Sequence, residues 1–316
     1  MRVARVDYQG ETRTAIVSPD GTSVRLLSPG VTTLDALTRD EASAPTTTTP
    51  AQIPLDQVRL RAPLDPPTIR DFSVFEQHME GVRKNFAPDA QVPDVFYASP
   101  FCYFSNPHAV TGPGDEIPIP PGCVDLDLEL EVAAVIGRPG RDLTPEQAAE
   151  HIAGYTLFND WSARDLQRAE MALGLGICKG KDFANTFGPW IVTPDELDAY
   201  RDNDRFDLAL EARVNGRSLG IDTLAHMAWS FEELVSYASR GTWVRPGDVL
   251  GSGTCGFGCL LELWGRFGRD FHRPLEPGDT VELTAEGIGS LTNHVVAGAA
   301  VIPLPQARRV DYQTGS

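Results

Sequence analysis

The chain has 316 residues, of which 41% are hydrophobic and 22% charged, and this length fits one large domain or one large and one small domain. The 27 basic and 44 acidic residues give a formal net charge of −17, which argues against a nucleic-acid partner and an anionic membrane surface, because both require a basic surface. No segment approaches the roughly 18 apolar residues of a membrane span, and the first residues lack the apolar core of a signal peptide.

The N-terminal segment, residues 1–65, is predicted to be a small β domain followed by a linker. Residues 2–27 contain short strand-like runs separated by polar turns. Residues 41–53 contain two prolines and four consecutive threonines, a composition typical of a linker or long loop. The rest of the chain, residues 66–316, is predicted to form the main domain.

The main domain is predicted to be a β-rich α+β fold. Its strongest strand signal is the run 126–136, and the Asn215-Gly216 pair predicts a hairpin. Capping-box sequences predict helices that begin after Thr144 and Ser230. The remaining predictions are a helix over 74–84, loops over 85–125, a strand over 155–158, a helix from about residue 161, and short strands over 244–303.

Glu129 and Glu131 lie in the run 126–136 and point to the same face as Asp127, because side chains alternate along a strand. Two like charges about 7 Å apart on one face repel unless something lies between them. A hard divalent cation, which prefers oxygen ligands, would bind between the two carboxylates and offset their repulsion. The alternative is a solvated strand face with the intervening apolar residues toward the core.

The segment 159–167 marks a strand-to-helix junction at which Asp160 could supply a third carboxylate. Arg164 and Gln167 lie four and seven residues further on, so on a helix they share its face. That face would present a carboxylate, a guanidinium and an amide to one cavity. In the alternative interpretation, Asp160 caps the helix and Arg164 pairs with it.

Lys181 and His78 are candidate cavity residues, and each has a common structural alternative. Lys181 lies among glycines and aromatic residues, although a surface Lys is the more frequent case. His78 needs an acidic partner to orient its ring and raise its basicity. Neither Glu76 nor Glu80 lies at i,i+4 spacing from it, so no local dyad is evident.

The five cysteines, at positions 102, 123, 178, 255 and 259, are an odd number in a chain too large to depend on disulfides. Reduced thiols in a cytoplasm are therefore expected. Cys255 and Cys259 have no second pair at zinc-site spacing, which argues against structural zinc. Their glycine-rich surroundings lack the ending of a phosphate loop, and no neighbouring base supports Cys255 as a nucleophile.

Four groups of motifs, in this order along the chain, resemble those of the fumarylacetoacetate hydrolase family. They are Leu-Asp-Leu-Glu-Leu-Glu at 126–131, Asn-Asp-Trp-Ser-Ala-Arg-Asp-Leu-Gln at 159–167, Gly-Lys-Asp-Phe at 180–183 with Gly-Pro-Trp at 188–190, and Gly-Thr at 253–254 with Leu-Leu-Glu-Leu at 260–263. The Asn-Asp-Trp-Ser-Ala-Arg-Asp string is highly specific. The resemblance covers residues 66–305 and implies a mixed β-sandwich roll with a small N-terminal β domain, assembled as a homodimer.

The resemblance also implies a bound divalent metal, with Mg²⁺ expected first and Mn²⁺ or Ca²⁺ as alternatives. Its ligands would be Glu129, Glu131, Asp160 and Asp71. The remaining implied site residues are His78 as general base with Glu262 as its acidic partner, Arg164, Gln167 and Lys181 around the reacting carbonyl, and Tyr103, Thr254 and Ser73 as substrate-binding residues.

Three features depart from the hydrolases of this family. Ser73 stands where they carry a Tyr. Their substrate-binding Arg after the His has no clear counterpart, because Arg83 and Lys84 come too early. The loop between Thr254 and Glu262 is shorter. These departures bear on the identity of the substrate more than on the metal centre.

The activity implied by the resemblance is hydrolytic cleavage of a C–C bond in a small 1,3-dioxo acid of the acylpyruvate or fumarylacetoacetate type, with water activated by His78 and Glu262. An alternative on the same site is oxaloacetate-type decarboxylation, or isomerisation or hydration of a 2-oxo-diene acid. A non-catalytic binding protein is a third hypothesis, and the retained Asp160, Lys181 and His78 argue against it.

Overall fold

The structure is a computed structural model that describes residues 1–38 and 52–310. Most of the predicted linker, 41–53, therefore lies outside the described residues. None of the helices in the described part of the chain has the length and apolar composition needed to cross a membrane.

Strands predominate over helices, as the composition predicts. The strands are β1 (Arg2–Tyr8), β2 (Glu11–Val17), β3 (Ser23–Leu26), β4 (Ile53–Pro54), β5 (Arg59–Arg61), β6 (Ile69–Phe72), β7 (Cys102–Ser105), β8 (Val110–Thr111), β9 (Glu116–Pro118), β10 (Leu126–Asp127), β11 (Leu130–Ile136), β12 (Gly140–Arg141), β13 (Ile152–Asp160), β14 (Ser162–Ala163), β15 (Asn185–Val192), β16 (Arg201–Asp202), β17 (Arg205–Phe206), β18 (Ala209–Val214), β19 (Arg217–Thr223), β20 (Trp243–Val244), β21 (Val249–Gly251), β22 (Thr280–Ala285) and β23 (Gly289–Val296).

The helices are short and lie between strands. The α-helices are α1 (Thr33–Thr38), α2 (Glu76–Arg83), α3 (Val95–Ala98), α4 (Pro145–Ala148), α5 (Arg164–Met171), α6 (Phe231–Ser239) and α7 (Leu260–Phe267), and the 3₁₀ turns are Leu55–Gln57, Ala149–His151, Pro194–Tyr200, Leu224–His226 and Arg269–Phe271.

A 12-stranded sheet organises the molecule, with the strand order β4-β3-β2-β1-β15-β13-β11-β21-β6-β7 and with β5 and β8 attached at its sides. The centre of this sheet is formed by four neighbouring strands from separate parts of the sequence, in the order β13, β11, β21 and β6. β21 pairs in parallel with β6 and places Gly251 opposite Asp71. This order brings the ends of four distant segments to one place.

A five-stranded sheet, ordered β19-β18-β22-β23-β9, encloses the main core together with the large sheet. Every residue of β11 is buried, because its apolar side chains alternate between two apolar clusters, and Glu131 is the polar exception. Burial on both faces explains why this strand is a nearly continuous apolar run rather than an alternating one. The β-rich α+β prediction is confirmed.

The N-terminal strands continue the large sheet. β1 pairs with β15 through Arg2–Val192 and Val3–Ile191. Thr193 also accepts a hydrogen bond from the N-terminal amine at 2.6 Å. The division into a domain of residues 1–65 and a domain of residues 66–316 stays a prediction.

Several local predictions are confirmed. Both capping boxes form, at Thr144 before α4 and at Ser230 before α6. β18 and β19 form the hairpin predicted from Asn215-Gly216, and both turn residues have a positive φ, as such tight turns require. The helix predicted over 74–84 is α2.

Other local predictions were wrong in detail. The strand predicted over 126–136 is divided, because the N–H of Glu129 donates to the Oδ1 atom of Asn159 at 2.9 Å instead of continuing a ladder. The helix expected from residue 161 begins at Arg164, because β14 first pairs with β10. The region 85–125 includes α3 and three short strands, and 244–303 includes the helix α7.

Candidate metal centre and reaction pocket

Four carboxylates form a buried cluster at the centre of the large sheet. Asp71 lies on β6, Glu131 on β11, Asp160 at the end of β13, and Glu129 directly before β11. Each offers an oxygen atom within 4.8 Å of the others. Their exposed fractions are between 0% and 5%, so the solvated strand face considered for Glu129 and Glu131 is wrong.

The electrostatics of this cluster fit a hard divalent cation. Burial raises the pKa values of Asp71, Glu131 and Asp160, and the proximity of their carboxylates to one another raises those of Glu131 and Asp160 further. The Oδ1 atoms of Asp71 and Asp160 are buried without a hydrogen-bond partner. Clustered, unpartnered carboxylate oxygens are the ligands that Mg²⁺, Mn²⁺ and Ca²⁺ prefer.

Lys181 lies inside this cluster and is only 2% exposed, so the surface alternative is wrong for this residue. Its Nζ atom donates hydrogen bonds to Glu129 and Asp160. Burial opposes the charge on the ammonium group, but Asp160 and Glu129 together raise the pKa of Lys181. Lys181 therefore stays charged and offsets part of the negative charge of the cluster.

The phenol of Tyr103 closes another side of the cluster. Its hydroxyl group donates to Asp160 and lies 2.8 Å from the Oδ2 atom of Asp71. Burial and the surrounding carboxylates raise the pKa of Tyr103 well above its ordinary value. The hydroxyl group therefore keeps its proton and acts as a donor.

Arg164 holds Glu129 in position. Its guanidinium group donates to Asp127 at 2.9 Å, to Glu129 at 2.7 Å and to Gln167 at 3.1 Å. Burial acts to raise the pKa of Glu129, but Lys181 and Arg164 outweigh it and lower that pKa. The interpretation in which Asp160 caps α5 and pairs with Arg164 is wrong, because Arg164 pairs with Asp127 and Glu129 instead.

Asp127 was missed as a site residue by sequence reasoning, which noted only its strand face. Its side chain is fully buried and accepts from the backbone N–H groups of Leu260 at 2.8 Å and Leu261 at 2.9 Å. These are the first two residues of α7, so Asp127 satisfies N–H groups that the helix itself leaves unbonded. Asp127 thus joins Arg164, beside the carboxylates, to the helix that carries Glu262.

The side chains of His78, on α2, and Glu262, on α7, lie next to each other although the two residues are far apart in the sequence. The Nδ1 atom of His78 lies 3.4 Å from an Oε atom of Glu262, which is completely buried. Glu262 also accepts from the N–H of Phe257 at 2.9 Å and from Arg266 at 2.7 Å. These donors hold the carboxylate toward the imidazole. The Sγ atom of Cys259 lies 3.8 Å from the same imidazole nitrogen.

The cysteines are free throughout the described part of the chain. Cys255 and Cys259 are buried, and burial raises the pKa of each thiol well above its ordinary value. A high pKa disfavours the thiolate, which is the nucleophilic form. The surroundings of Cys255 therefore do not suit a nucleophile.

A cavity of about 460 Å³ opens onto the carboxylates and His78. Ten of the twelve residues proposed from the sequence line it. The other two, Asp160 and Glu262, lie behind Lys181 and His78, which they contact. The lining residues from that set are Asp71, Ser73, His78, Tyr103, Glu129, Glu131, Arg164, Gln167, Lys181 and Thr254.

One helix supplies a wall of the cavity that the sequence did not predict. His78, Met79, Val82 and Arg83 of α2 line it, followed by Phe86 beyond the helix end. Their spacing of i, i+1, i+4, i+5 and i+8 is that of a single helical face. This periodicity is the signal by which the sequence could have placed Arg83 at the cavity, although its distance from His78 differs from that of the substrate-binding Arg in the hydrolases of the family.

The chain belongs to the fumarylacetoacetate hydrolase family. The family model described as fumarylacetoacetate (FAA) hydrolase C-terminal matches residues 68–296, which contain all four carboxylates, His78 and Glu262. This confirms the resemblance of the motifs and the fold expected from it. Members of the family generally bind a divalent metal, and the buried cluster offers a place for one.

Relatives of this chain have several described activities. Oxaloacetate tautomerase YisK of Bacillus subtilis is 29% identical over 244 residues, which are 76% of this chain and 74% of the relative. A 5-carboxymethyl-2-hydroxymuconate delta-isomerase structure from Mycobacterium smegmatis has a TM-score of 0.70 and 28% identity, over 94% of this chain and 100% of its own. A fumarylacetoacetate hydrolase structure from Exiguobacterium antarcticum has a TM-score of 0.73 and 29% identity, over 94% of this chain and 99% of its own.

Proposed function

We propose that the protein is a metal-dependent hydrolase that cleaves a C–C bond in a small 1,3-dioxo acid. The observation that supports this proposal is the His78–Glu262 pair, with its nitrogen and oxygen 3.4 Å apart, at the cavity that also holds the carboxylate cluster. A base oriented by a buried carboxylate is suited to taking a proton from water.

Asp71, Glu129, Glu131 and Asp160 would hold the divalent cation, with Mg²⁺ as the first candidate. When bound, such a cation would supply Lewis-acid polarisation of the oxo groups of the substrate. Lys181 and Arg164 keep Glu129 ionised, and Tyr103 orients Asp71 and Asp160 by hydrogen bonds.

His78 would take a proton from a water molecule, and the water oxygen would attack one carbonyl carbon of the dioxo acid. The bond between that carbon and the carbon between the two oxo groups would then break. The departing carbon would receive the proton back from His78. Glu262 would keep the imidazole oriented and stabilise its positive charge.

Lys181 and Gln167 would donate hydrogen bonds to the oxygen that gains negative charge. Both line the cavity, and Lys181 is already held in place by two carboxylates. Donors that are oriented before the reaction are typically worth about 3 kcal/mol each in transition-state stabilisation.

Proton transfer at carbon, as in keto–enol tautomerisation or double-bond isomerisation, is the second candidate function. It is favoured by the relatives described as an oxaloacetate tautomerase and a muconate delta-isomerase. In this reaction His78 would take the proton from the carbon next to the carbonyl instead of from water. Oxaloacetate-type decarboxylation is less well supported, because it needs no base.

One set of assays distinguishes the two candidate functions. Acylpyruvate cleavage is followed by the loss of diketone absorbance, and oxaloacetate tautomerisation by the loss of enol absorbance, each with and without EDTA. Hydrolysis predicts EDTA-sensitive cleavage of the diketone. Enol loss with an intact diketone would favour the second candidate, and EDTA-insensitive turnover of both substrates would rule out a metal-dependent reaction.

A further inference from the structure

A second group of potential metal ligands lies beside the carboxylate cluster. Within the described ranges 1–38 and 52–310, two sets of side chains each place their ligand atoms within 4.8 Å of one another. One set is the carboxylate cluster, and the other consists of His78, Glu129 and Cys259. Only Glu129 belongs to both sets. All three side chains of the second set are buried.

The donor atoms of the second set differ in kind from those of the first. A cluster of carboxylate oxygens suits hard cations such as Mg²⁺, whereas nitrogen, sulfur and oxygen together suit Zn²⁺ and cations of similar softness. Glu129 already accepts from Arg164 and Lys181. A carboxylate has about four lone-pair sites, so Glu129 can still bind a cation.

The spacing of His78 and Cys259 fits a shared cation. The Sγ atom of Cys259 lies 3.8 Å from the Nδ1 atom of His78. A tetrahedral zinc ion, with bonds of about 2.3 Å to sulfur and about 2.0 Å to nitrogen, places these two ligand atoms roughly 3.5 Å apart. The two side chains therefore need only a small adjustment. A cation can reach them because His78 and Glu129 line the cavity.

Cys259 also has a structural role, which does not account for its sulfur. It directly precedes α7, and its Sγ atom accepts from the N–H of Glu262 at 3.4 Å, as the side chain of a helix cap does. Serine is among the residues preferred at this position, so capping alone gives no reason for a thiol. The zinc-site spacing sought in the sequence could not reveal the group, because its members lie at positions 78, 129 and 259.

We propose that His78, Glu129 and Cys259 form a second cation site, for Zn²⁺ and cations of similar softness, and that a cation bound there inhibits the reaction. Binding of the cation to sulfur releases the thiol proton to solvent. The charge of the cation beside the imidazole then disfavours the protonated ring that His78 must become when it acts as a base. The inhibition rests on the proposed function, whereas the cation site does not.

The site is tested with Co²⁺, which accepts the same ligands as Zn²⁺ and gives a charge-transfer absorption band when it binds a thiolate. Co²⁺ is titrated into the full chain with excess Mg²⁺ present to occupy the carboxylate cluster. We expect a saturable band in the wild type and its removal by Zn²⁺. Carboxylates give no such band, so Co²⁺ at the cluster does not contribute to it. A wild type without the band overturns the inference.

Cys259→Ser is the decisive variant, because its hydroxyl group can still cap α7 but supplies no sulfur. It should show no band. Cys102→Ser is the matched control, since Cys102 lines the cavity but belongs to neither ligand set, and it should show the wild-type band. If Cys259→Ser does not fold, His78→Asn tests the same site and should weaken Co²⁺ binding about 10-fold or more. A wild-type band in a folded Cys259 or His78 variant, or its loss in Cys102→Ser, overturns the inference.

Turnover measurements separate this inference from the proposed function. Zn²⁺ should inhibit cleavage of a dioxo acid by the Mg²⁺-loaded wild type, and any cleavage by Cys259→Ser should require about 10-fold or more Zn²⁺ for the same fractional inhibition. A protein that shows the Cys259-dependent band but cleaves no dioxo acid retains the cation site and loses the hydrolase proposal. A protein that cleaves at its full rate while Zn²⁺ fills the site retains the hydrolase proposal and loses the inhibitory site.

Discussion

Gly251 lies directly against the carboxylate of Asp71. The two residues are partners in the parallel pair β21–β6, and a Cβ atom on the glycine would overlap the Oδ1 atom of Asp71. The same Cβ atom would lie 2.8 Å from the Oε2 atom of Glu131. The close approach of two metal-ligand candidates therefore depends on a strand position without a side chain.

Gly251→Ala should weaken binding of Mg²⁺ about 10-fold or more, because the added methyl group pushes apart two carboxylates that must converge. Calorimetric titration of Mg²⁺ into the variant measures the change. A thermal unfolding transition shows that the variant is folded. Unchanged Mg²⁺ affinity in a folded variant would mean that Asp71 or Glu131 takes no part in metal binding.

Glu131→Gln should reduce Mg²⁺ affinity and also the stabilisation that Mg²⁺ provides. A ligand at 100 times its dissociation constant stabilises the native state by about 2.7 kcal/mol, so the wild type should show a higher Tm in Mg²⁺ than in EDTA. The variant should lose most of this difference. Asp65→Asn, which changes a carboxylate that is 75% exposed, should behave as the wild type. A full Tm shift in Glu131→Gln would contradict the proposed ligand set.

Glu262→Gln should lower kcat about 100-fold or more, because His78 loses the charge that orients its ring and stabilises its protonated form. Mg²⁺ affinity should stay at the wild-type value, since Glu262 lies outside the carboxylate cluster. His226→Ala is the control. That histidine also pairs with a carboxylate, Asp222, at 2.5 Å, but it is 58% exposed and does not line the reaction cavity. A wild-type turnover rate in Glu262→Gln would exclude a role for the His78–Glu262 pair in activating water.

Asp127→Ala should lower the free energy of unfolding by about 3–5 kcal/mol, because it leaves a buried guanidinium group on Arg164 with one partner fewer. It also removes the acceptor for two N–H groups at the start of α7. Urea denaturation measures the loss. Asp65→Ala breaks an ion pair with Arg5 in which the carboxylate is 75% exposed, and it should lower the free energy of unfolding by less than about 1 kcal/mol. Equal costs in the two variants would contradict this account of Asp127.

Asp279 should make stability depend on pH. Burial acts to raise its pKa, but hydrogen bonds from Arg273 and Asn215 outweigh burial and lower that pKa overall. A lowered pKa in the folded state means that the stabilisation is present above the pKa of the unfolded state, about 3.9, and is lost as the pH falls further. Asp279→Asn should therefore lower the free energy of unfolding by about 1.5–3 kcal/mol at pH 7.

The free energies of unfolding of the wild type and of Asp279→Asn should become more similar as the pH falls from 4 to 3. Urea unfolding curves at several pH values measure both. A difference that stays constant down to pH 3 would mean that the carboxylate of Asp279 makes no charge-dependent contribution.

The sequence predicted those parts of the site that depend on local periodicity. The alternation expected along one strand correctly brought Glu129 and Glu131 together, although Glu129 lies directly before β11 in the structure. Capping boxes at Thr144 and Ser230 determine two helix starts without reference to the rest of the fold. Such features depend on neighbours within a few residues, which a single sequence displays.

Contacts set by strand order could not be derived in this way. Asp71 meets Glu131 only because β21 lies between β6 and β11, and no spacing rule predicts that order. His78 and Glu262 were paired only through the resemblance of the chain to its family. Helix α7 was missed because Asp127, whose side chain accepts from the first two N–H groups of the helix, lies 133 residues before Leu260.

The pairing of β1 with β15 has a practical consequence for protein engineering. A shortened protein that began at residue 66 would leave the Ile191–Val192 end of β15 without its neighbouring strand. Both side chains are fully buried in the intact chain. An uncovered apolar sheet edge is a template for intermolecular association, so expression trials of the matched region alone should be expected to yield aggregates unless the N-terminal strands are supplied.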